Sequence, residues 1–276
     1  MADNNPAPFH ISKTIIGVKN ELLTITGTTH TPQLTTTLNH KYGVQAATPP
    51  TTKPIIAYFG IGVNGFRNIN DSNLSQPYIP SMENLDLYGP IPFRCVPIEE
   101  DLTPEERTNY RMRVRRTLGG LDYWCYYLKK ITFLDTDVQL TRTDPVTLEE
   151  TPYVIDPNNL TPVPVIPQSD GIIVVEGSEV NVTLAATLHI TGAEVLESVG
   201  VIYNDARRAV VSEIGIYTGE DKTVTGLTHT GANMNYVEAI YAQLAIHKCT
   251  LGVPLVTPSA YTDQKLRLGK SNVLLL

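Results

Sequence analysis

The stretch that decides the fold, residues 209–219, reads Ala-Val-Val-Ser-Glu-Ile-Gly-Ile-Tyr-Thr-Gly. Apolar and β-branched side chains dominate it and a glycine closes it, which is typical of a β-strand that ends in a turn. Residues 55–60, Ile-Ile-Ala-Tyr-Phe-Gly, form a second apolar run between Pro54 and a glycine-rich segment. A short apolar run that is bounded in this way predicts a buried strand.

Further strands are predicted on both sides of these two runs. Their segments are rich in β-branched or aromatic residues or alternate between apolar and polar residues, and they cover residues 15–26, 121–134, 135–141, 171–175, 180–190, 195–203 and 265–276. Residues 236–248 fit a helix or a strand, and the alternation of Ile240, Ala242 and Leu244 favours the strand. We therefore expect a mainly β fold, with β-sandwich-like sheets and long loops.

One short segment, about residues 104–118, has the signals of an α-helix. Thr103 and Glu106 have the spacing of a capping box, and Pro104 suits the first helical position. The glycine pair at 119–120 predicts where this helix ends.

Three arginines of the predicted helix, Arg107, Arg111 and Arg115, are spaced four residues apart and are expected to share one face. Such a stripe suits phosphate binding, a protein interface or a solvated helix face. The chain has a net charge of −7, which argues against a broad nucleic-acid surface.

Length and composition exclude several classes of protein. The chain has 276 residues, of which 42% are hydrophobic and 18% charged, so it can bury a core and is not expected to be disordered as a whole. Its three cysteines lack metal-ligand spacing and are too few for a disulfide framework, which fits a reducing compartment. Neither a secretory signal nor an apolar run of membrane-spanning length is visible, so we expect no membrane span.

No catalytic residue, cofactor site or metal site is predicted. Residues 60–65 match G-x-G-x-x-G, but a dinucleotide site needs a helix directly afterwards and the following residues are poor helix formers. His247 and Cys249 would share one face of a strand, with His229 as a possible neighbour. Because no zinc-ligand motif accompanies them, ordinary packed or exposed residues are the favoured interpretation.

Two regions do not fit a compact element. Residues 1–12 are polar and interrupted by prolines, as in a flexible arm. Residues 60–92 show no periodicity, and long ordered loops of this kind usually make contacts.

Several segments resemble baseplate wedge subunits of contractile-tailed bacteriophages. Residues 55–60, followed by a polar, proline-rich loop that ends at residues 90–92, look like the N-terminal part of those subunits. Residues 211–217 resemble a strand of phage baseplate and tail proteins. Residues 238–248 and 266–276 are similar to the way that the wedge family ends.

The resemblance implies a virion structural protein that is made in the host cytoplasm and is incorporated into the tail. Such subunits are mainly β, often dimeric, and bind several different baseplate proteins. Their terminal segments form one domain, which here implies residues 13–95 with residues 196–276. The middle, residues 96–195, would be an inserted β-rich domain that carries the helix.

The predicted function is therefore that of a non-catalytic baseplate subunit, which joins neighbouring proteins through loops and β-edges. The expected partners are other phage tail proteins and further copies of this chain, with no nucleic acid. The predicted contact residues are Arg107, Arg111, Arg115, Phe66, Arg67, Tyr78, Leu274, Leu275 and Leu276. On this interpretation, Arg111→Glu impairs assembly and leaves the monomer folded.

Three alternatives remain open at this point. A neck, collar or head-decoration protein belongs to the same structural class. A carbohydrate-binding β-sandwich would use Trp124 and neighbouring tyrosines as a stacking platform, although Trp124 lies in an apolar run that favours core burial. A glycosidase would need two carboxylates at a set separation, for which Glu99 and Asp135 are the candidates.

Overall fold

The computed structural model describes residues 9–26, 29–47, 51–53, 55–69, 74–133, 138–144, 147–154, 179–227 and 231–270. These residues form a mainly β structure with several antiparallel sheets and few helices, which confirms the predicted fold class. None of the helices in these residues is long and apolar enough to cross a membrane.

Strands account for most of the elements. They are β1 (Phe9–Lys13), β2 (Ile56–Gly62), β3 (Phe66–Ile69), β4 (Leu74–Pro77), β5 (Pro90–Ile91), β6 (Arg94–Pro97), β7 (Tyr110–Leu118), β8 (Leu121–Lys130), β9 (Val138–Thr143), β10 (Glu150–Pro152), β11 (Glu179–Thr191), β12 (Val210–Leu227), β13 (Asn233–Pro254) and β14 (Tyr261–Lys270). The α-helices are α1 (Ile15–Thr26), α2 (Leu38–Tyr42) and α3 (Gly192–Tyr203).

The largest sheet is organised around the stretch that opened the sequence analysis. Its strand order is β1-β13-β12-β2-β8-β6, with β5 also pairing β2 and β7 also pairing β8. β12 pairs antiparallel with both β13 and β2, so the predicted strand at 209–219 lies inside the sheet. A second sheet has the order β10-β9-β11-β14, and β3 and β4 form a hairpin.

Contacts divide the chain into two compact units. The first comprises Met1–Ile131 and His189–Asp263 and contains the largest sheet. The second comprises Thr132–Leu188 and Gln264–Leu276. An insertion in the middle of the chain was expected at 96–195, whereas β6, β7 and β8 pair within the largest sheet of the first unit.

The arm predicted at residues 1–12 is partly a strand. Residues 9–13 form β1, which pairs antiparallel with β13 along the edge of the largest sheet. Ile11 lies opposite Lys248 and Ser12 opposite His247. Residues 1–8 lie outside the described residues.

The helix predicted at 104–118 is wrong. The capping box between Thr103 and Glu106 does form, with Glu106 Oε2 accepting from the Thr103 N–H at 2.9 Å, but it caps only a 3-10 turn at Glu106–Asn109. The chain then continues as the strand Tyr110–Leu118. Apolar residues four positions apart, such as Tyr110 and Val114, fit a strand of period two as well as a helix, so the spacing did not discriminate.

The glycine pair that suggested the helix end is the turn of a β-hairpin. Gly119 and Gly120 connect β7 to β8 with φ values of +59° and +85°. A two-residue loop with positive φ at both positions matches the right-handed twist of the flanking strands, and this is why glycine pairs mark hairpins.

Two predicted strands are helices. Residues 15–26 form α1, whose first turn is capped by the Thr14 hydroxyl, which accepts from the Gly17 N–H at 2.9 Å. Residues 195–203 lie in α3, which begins with a capping box between Thr191 and Glu194. In both segments a threonine cap at the start outweighs the β-branched composition.

The other strand predictions agree with the structure where it describes them. Residues 55–60, 121–134, 180–190 and 236–248 correspond to β2, β8, β11 and β13. Residues 138–141 of one predicted strand lie in β9, and residues 265–270 of another lie in β14. Residues 171–175 and 271–276 lie outside the described residues.

The main core of the first unit is formed by α2 and strands β2, β6, β7, β8, β12 and β13. Its buried side chains are Leu38, Ala57, Tyr58, Leu87, Cys95, Met112, Val114, Cys125, Tyr127, Leu128, Tyr217, Ala239, Ala242 and Leu244. Within it, Cys95 lies opposite Cys125 on paired strands, with 3.0 Å between the sulfur atoms.

The β7–β8 hairpin provides a test of the corrected structure. Gly120→Val is expected to destabilise the protein by about 1–2 kcal/mol, because a side chain at positive φ is strained. Gly119→Asn is the control and should be tolerated, since Asn-Gly is a preferred sequence for this turn. A Cβ at either position would meet no atom within 4 Å, so urea unfolding of the two variants measures backbone strain alone. Equal stability of the two variants would contradict the hairpin.

Candidate functional site

A buried carboxylate near the start of β12 holds an irregular segment against the sheet. Glu213 is fully buried, and its Oε1 accepts from the Tyr88 N–H at 2.7 Å. Its Oε2 accepts from the Asn64 N–H at 3.1 Å and from the Gly89 N–H at 2.9 Å. One side chain thus binds both ends of residues 63–89, which we call the anchored segment.

His247 completes the surroundings of this carboxylate. It lies on β13, is fully buried, and has its Nε2 3.0 Å from Glu213 Oε1. Its Nδ1 lies 3.0 Å from the side-chain nitrogen of Asn84, and the Tyr88 ring packs on it with 5.0 Å between ring centres. Asn84 and Glu213 thus occupy the two ring nitrogens of this buried imidazole.

Cys249 is the third buried polar group of this cluster. Its Sγ lies 3.5 Å from His247 Nε2, and burial raises the pKa of the thiol to about 12, with a further contribution from the Glu213 charge. Sulfur and carboxylate face the same imidazole nitrogen, whereas a catalytic triad places nucleophile and acid on opposite nitrogens. The geometry therefore does not form a cysteine nucleophile with its base.

Further contacts fix the anchored segment along its length. The Gly65 N–H donates to Ser212 Oγ at 2.8 Å, and Tyr217 donates from its hydroxyl to Asp86 at 2.9 Å. A Cβ at Gly65 would lie 2.1 Å from the Ser212 carbonyl oxygen, so only glycine allows this approach. The segment is tied to β12 by side chains that the strand itself supplies.

The outer surface of the anchored segment forms an aromatic cleft. The cleft has a volume of about 480 Å³ and is lined by Asn64, Phe66, Tyr78 and Tyr88. Tyr78 and Tyr88 meet edge to face with 5.7 Å between ring centres. Two predicted contact residues, Phe66 and Tyr78, are thus brought together.

Apolar side chains beside the cleft are exposed. Ile79 is 73% exposed, Met82 53% and Leu85 43%, all on the anchored segment. Ile15, at the start of α1, is also exposed, and its N–H donates to the Met82 carbonyl at 2.9 Å. Exposed apolar residues three positions apart along a fixed segment are typical of an interaction surface.

The predicted arginine stripe does not exist as an exposed surface. Arg111 is buried and donates to Asp221 Oδ1 at 2.9 Å and to the Thr108 carbonyl at 2.7 Å. Arg107 is also buried, and its guanidinium lies 4.0 Å from the centre of the Tyr236 ring. Arg107 lies in the 3-10 turn before β7, and burial of both Arg107 and Arg111 leaves only Arg115 exposed.

The remaining predicted contact residues have separate outcomes. Arg115 is exposed and pairs with Asp122, and Arg67 is exposed on β3 and donates to Gln76. Leu274, Leu275 and Leu276 lie outside the described residues, so their role stays a prediction.

The ion pair of Arg111 is electrostatically strong. Burial acts to raise the pKa of Asp221, but hydrogen bonds, first those from Arg111 and Tyr58, outweigh burial and lower the pKa to about 2. The carboxylate is therefore ionised in the folded state at neutral pH, and the stabilisation is lost only as the pH falls from about 4 towards 2.

Among the described residues, the candidates for sugar stacking, glycoside hydrolysis and dinucleotide binding do not form a site. Trp124 is half-buried, and the Arg113 guanidinium covers its ring at 3.5 Å, so it offers no open stacking platform. Glu99 is exposed, and Asp135 and His229 lie outside the described residues. β2 ends at Gly62 and is followed by β3, so no helix opens after the glycine pattern as a dinucleotide site requires.

The family comparison covers the whole sequence, since residues 1–276 match DUF7208, a family of unknown function. The chain belongs to this family. No curated protein and no solved structure matches it significantly. The family assigns no activity, so the place of the chain in a phage baseplate stays a prediction from its sequence.

Sequence reasoning missed the residue that organises the site. Glu213 is the one charged residue in the apolar run Val-Val-Ser-Glu-Ile-Gly-Ile, and a carboxylate in a buried strand needs hydrogen-bond partners, which is the signal for its role. Tyr88 and Asn64 carry no comparable local signal, since only the folded segment brings them to the cleft.

The buried position of Arg111 revises the expected effect of changing it. Arg111→Glu is expected to lower the free energy of unfolding by about 3–5 kcal/mol, because it buries a carboxylate without a cation next to Asp221. Arg115→Glu makes the same charge change at an exposed position and should leave the urea midpoint nearly unchanged. If Arg111→Glu left stability intact, the buried position of this arginine would be wrong.

The anchoring role of Glu213 is tested by Glu213→Gln. The amide supplies donors where the carboxylate accepts four hydrogen bonds, so at least one buried N–H loses its partner, at a cost of about 1–3 kcal/mol for each group. Urea unfolding should show this loss, and hydrogen exchange should accelerate at the Tyr88 and Gly89 amides. Glu83→Gln, on the exposed part of the same segment, is the matched control, and equal effects of the two changes would refute the anchor.

Proposed function

We propose that the chain is a non-catalytic structural subunit of a bacteriophage tail baseplate, which binds a neighbouring baseplate protein through the anchored segment. One observation carries the proposal. The anchored segment is held at its ends by the buried Glu213 carboxylate, and the same segment exposes apolar side chains. A segment that is fixed before binding loses little conformational entropy when a partner covers it, so its apolar area contributes efficiently to affinity.

The composition of the exposed surface suits a protein partner. Tyr78, Tyr88 and Met82 are residue types that are enriched at the cores of protein interfaces. The surface also lacks the basic character that a nucleic acid would need, in keeping with the net charge of −7. A partner protein of complementary shape is therefore favoured over a polyanion.

The segments that resemble baseplate wedge subunits meet in the structure. Residues 55–60 lie almost entirely in β2, and residues 211–217 belong to β12. The two strands pair, with Ile214 opposite Ile61 and Gly215 opposite Gly60. These two strands support the anchored segment. The resemblance and the candidate interface thus concern one part of the molecule, which supports the same proposal.

The edge of the largest sheet offers a second contact mode. β1 pairs with β13 on one side and ends the strand order among the described residues. An unpaired edge accepts a strand from another chain through backbone hydrogen bonds. Binding of further copies or of other tail proteins at this edge fits the dimer or higher assembly that the resemblance implies.

The aromatic cleft also favours a second candidate function, a carbohydrate-binding module. Sugar rings stack on aromatic faces, and Asn64 at the cleft can hydrogen-bond hydroxyl groups. In such a module the sugar would stack on Tyr78 and Tyr88, and not on Trp124 as the sequence predicted. Glycan-array binding that is lost in Tyr88→Ala, with the fold retained, would favour it over the structural role.

The proposal is tested by placing Asp at the most exposed apolar position of the segment. Particles made with the Ile79→Asp variant should contain about tenfold less of this chain than particles made with the wild-type chain. The reason is that a charge buried in an interface without a partner costs several kcal/mol. Leu148→Asp is the matched control. Leu148 lies between β9 and β10 and is 74% exposed, and Ile79 is 73% exposed. Immunoblots of purified particles measure incorporation, and circular dichroism confirms folding.

Immunogold electron microscopy with an antibody to this chain identifies its location. Gold at the distal end of the tail is the expected result. Gold at the neck or capsid would overturn the baseplate location and favour the neck or head-decoration alternatives. Particles without label would overturn a virion role, and normal incorporation of Ile79→Asp would refute the anchored segment as the interface.

A further inference from the structure

The cluster of Glu213, His247 and Cys249 brings together three side chains that can bind a metal ion. All three residues are fully buried. Within the described residues, the only ion pair of Glu213 is with His247, whose Nε2 lies 3.0 Å from Glu213 Oε1. Buried carboxylates are normally paired with a cation or bind a metal, because an isolated buried charge is costly.

The donor atoms of this cluster are spaced like the ligands of one ion. The carboxylate oxygen, imidazole nitrogen and sulfur all lie within 4.8 Å of one another. His247 Nε2 is 3.0 Å from Glu213 Oε1 and 3.5 Å from Cys249 Sγ. Tetrahedral zinc with ordinary bond lengths separates nitrogen from oxygen by about 3.3 Å and nitrogen from sulfur by about 3.6 Å.

We propose that Glu213, His247 and Cys249 bind a zinc ion beneath the aromatic cleft. A thiolate, an imidazole and a carboxylate together favour zinc over magnesium or calcium, which prefer oxygen ligands alone. The ion balances one carboxylate and one thiolate, so the buried site becomes neutral. Three protein ligands leave one coordination position for water.

Binding balances as a ligand exchange without oxidation or reduction. Zinc forms bonds to Oε1, Nε2 and Sγ, and the thiol proton of Cys249 is released to the buffer. With zinc on Nε2, the ring proton lies on Nδ1, so the imidazole is a neutral ligand. Asn84 then turns its amide so that the side-chain oxygen accepts from Nδ1–H, which is the usual second-shell arrangement of a zinc-bound histidine.

The surrounding structure prepares the ligands for this role. The N–H groups of Asn64, Tyr88 and Gly89 fix the Glu213 carboxylate, and the Tyr88 ring packs on His247. His247 and Cys249 alternate on β13 beside β12, so strand pairing itself sets the position of the ligands. The inference concerns the interior of the site and does not depend on what covers the cleft.

The full-length chain, treated with a chelator and dialysed, is titrated with Co²⁺ as the spectroscopic probe. The expected result is one equivalent per chain and a thiolate-to-cobalt charge-transfer band, with release of one proton. Zn²⁺ should displace the cobalt and raise the melting temperature. Cys249→Ser should abolish the band and reduce the zinc-dependent shift in melting temperature.

The other two cysteines provide the matched control. Cys95→Ser/Cys125→Ser removes both remaining thiols and should keep the band, because these residues lie elsewhere in the core. Folded wild-type protein without a band and without a zinc-dependent melting shift would overturn the proposal. A band that survives Cys249→Ser and disappears in the double variant would overturn it as well.

Discussion

The aromatic cleft depends on one buried carboxylate, that of Glu213, which accepts hydrogen bonds from three backbone N–H groups. Glu213 lies inside the largest sheet, where its charge is tolerable only because donors surround it. Those donors belong to both ends of the anchored segment. The aromatic cleft and the exposed apolar residues beside it are therefore positioned by side chains of one buried strand, with Glu213 holding both ends and Ser212 and Tyr217 adding contacts between them.

The same device recurs elsewhere in the first unit. Glu238 accepts from the Arg113 N–H at 3.0 Å, and Glu197 accepts from the Cys95 N–H at 2.7 Å. Glu194 caps α3 and also binds Lys129. These carboxylates bind backbone N–H groups of strands β6 and β7 and the first turn of α3, so buried or half-buried acids fix the backbone at several places in this unit.

The sequence predicted the elements whose signal is local. The apolar runs at 55–60 and 209–219 correspond to β2 and β12, because a buried strand must be apolar whatever surrounds it. The prediction failed at 104–118, where a spacing of four residues is shared by helix and strand and the glycine pair was assigned to the wrong kind of turn. Phe66 and Tyr78 were identified because they lie in a long polar loop. Tyr88 was missed, since its proximity arises from contacts between distant parts of the chain.

The sequence separation of the anchoring bonds also has a kinetic meaning. Glu213 is 149 residues from Asn64 and 125 residues from Tyr88, so these bonds close very large loops. Loops of this size close late, after the local hairpins have formed. The cleft therefore comes into existence only when the whole sheet is complete. On the proposed function, a partner that recognises the cleft would bind finished subunits and not folding intermediates, so completion of the sheet would act as a checkpoint on the order of assembly.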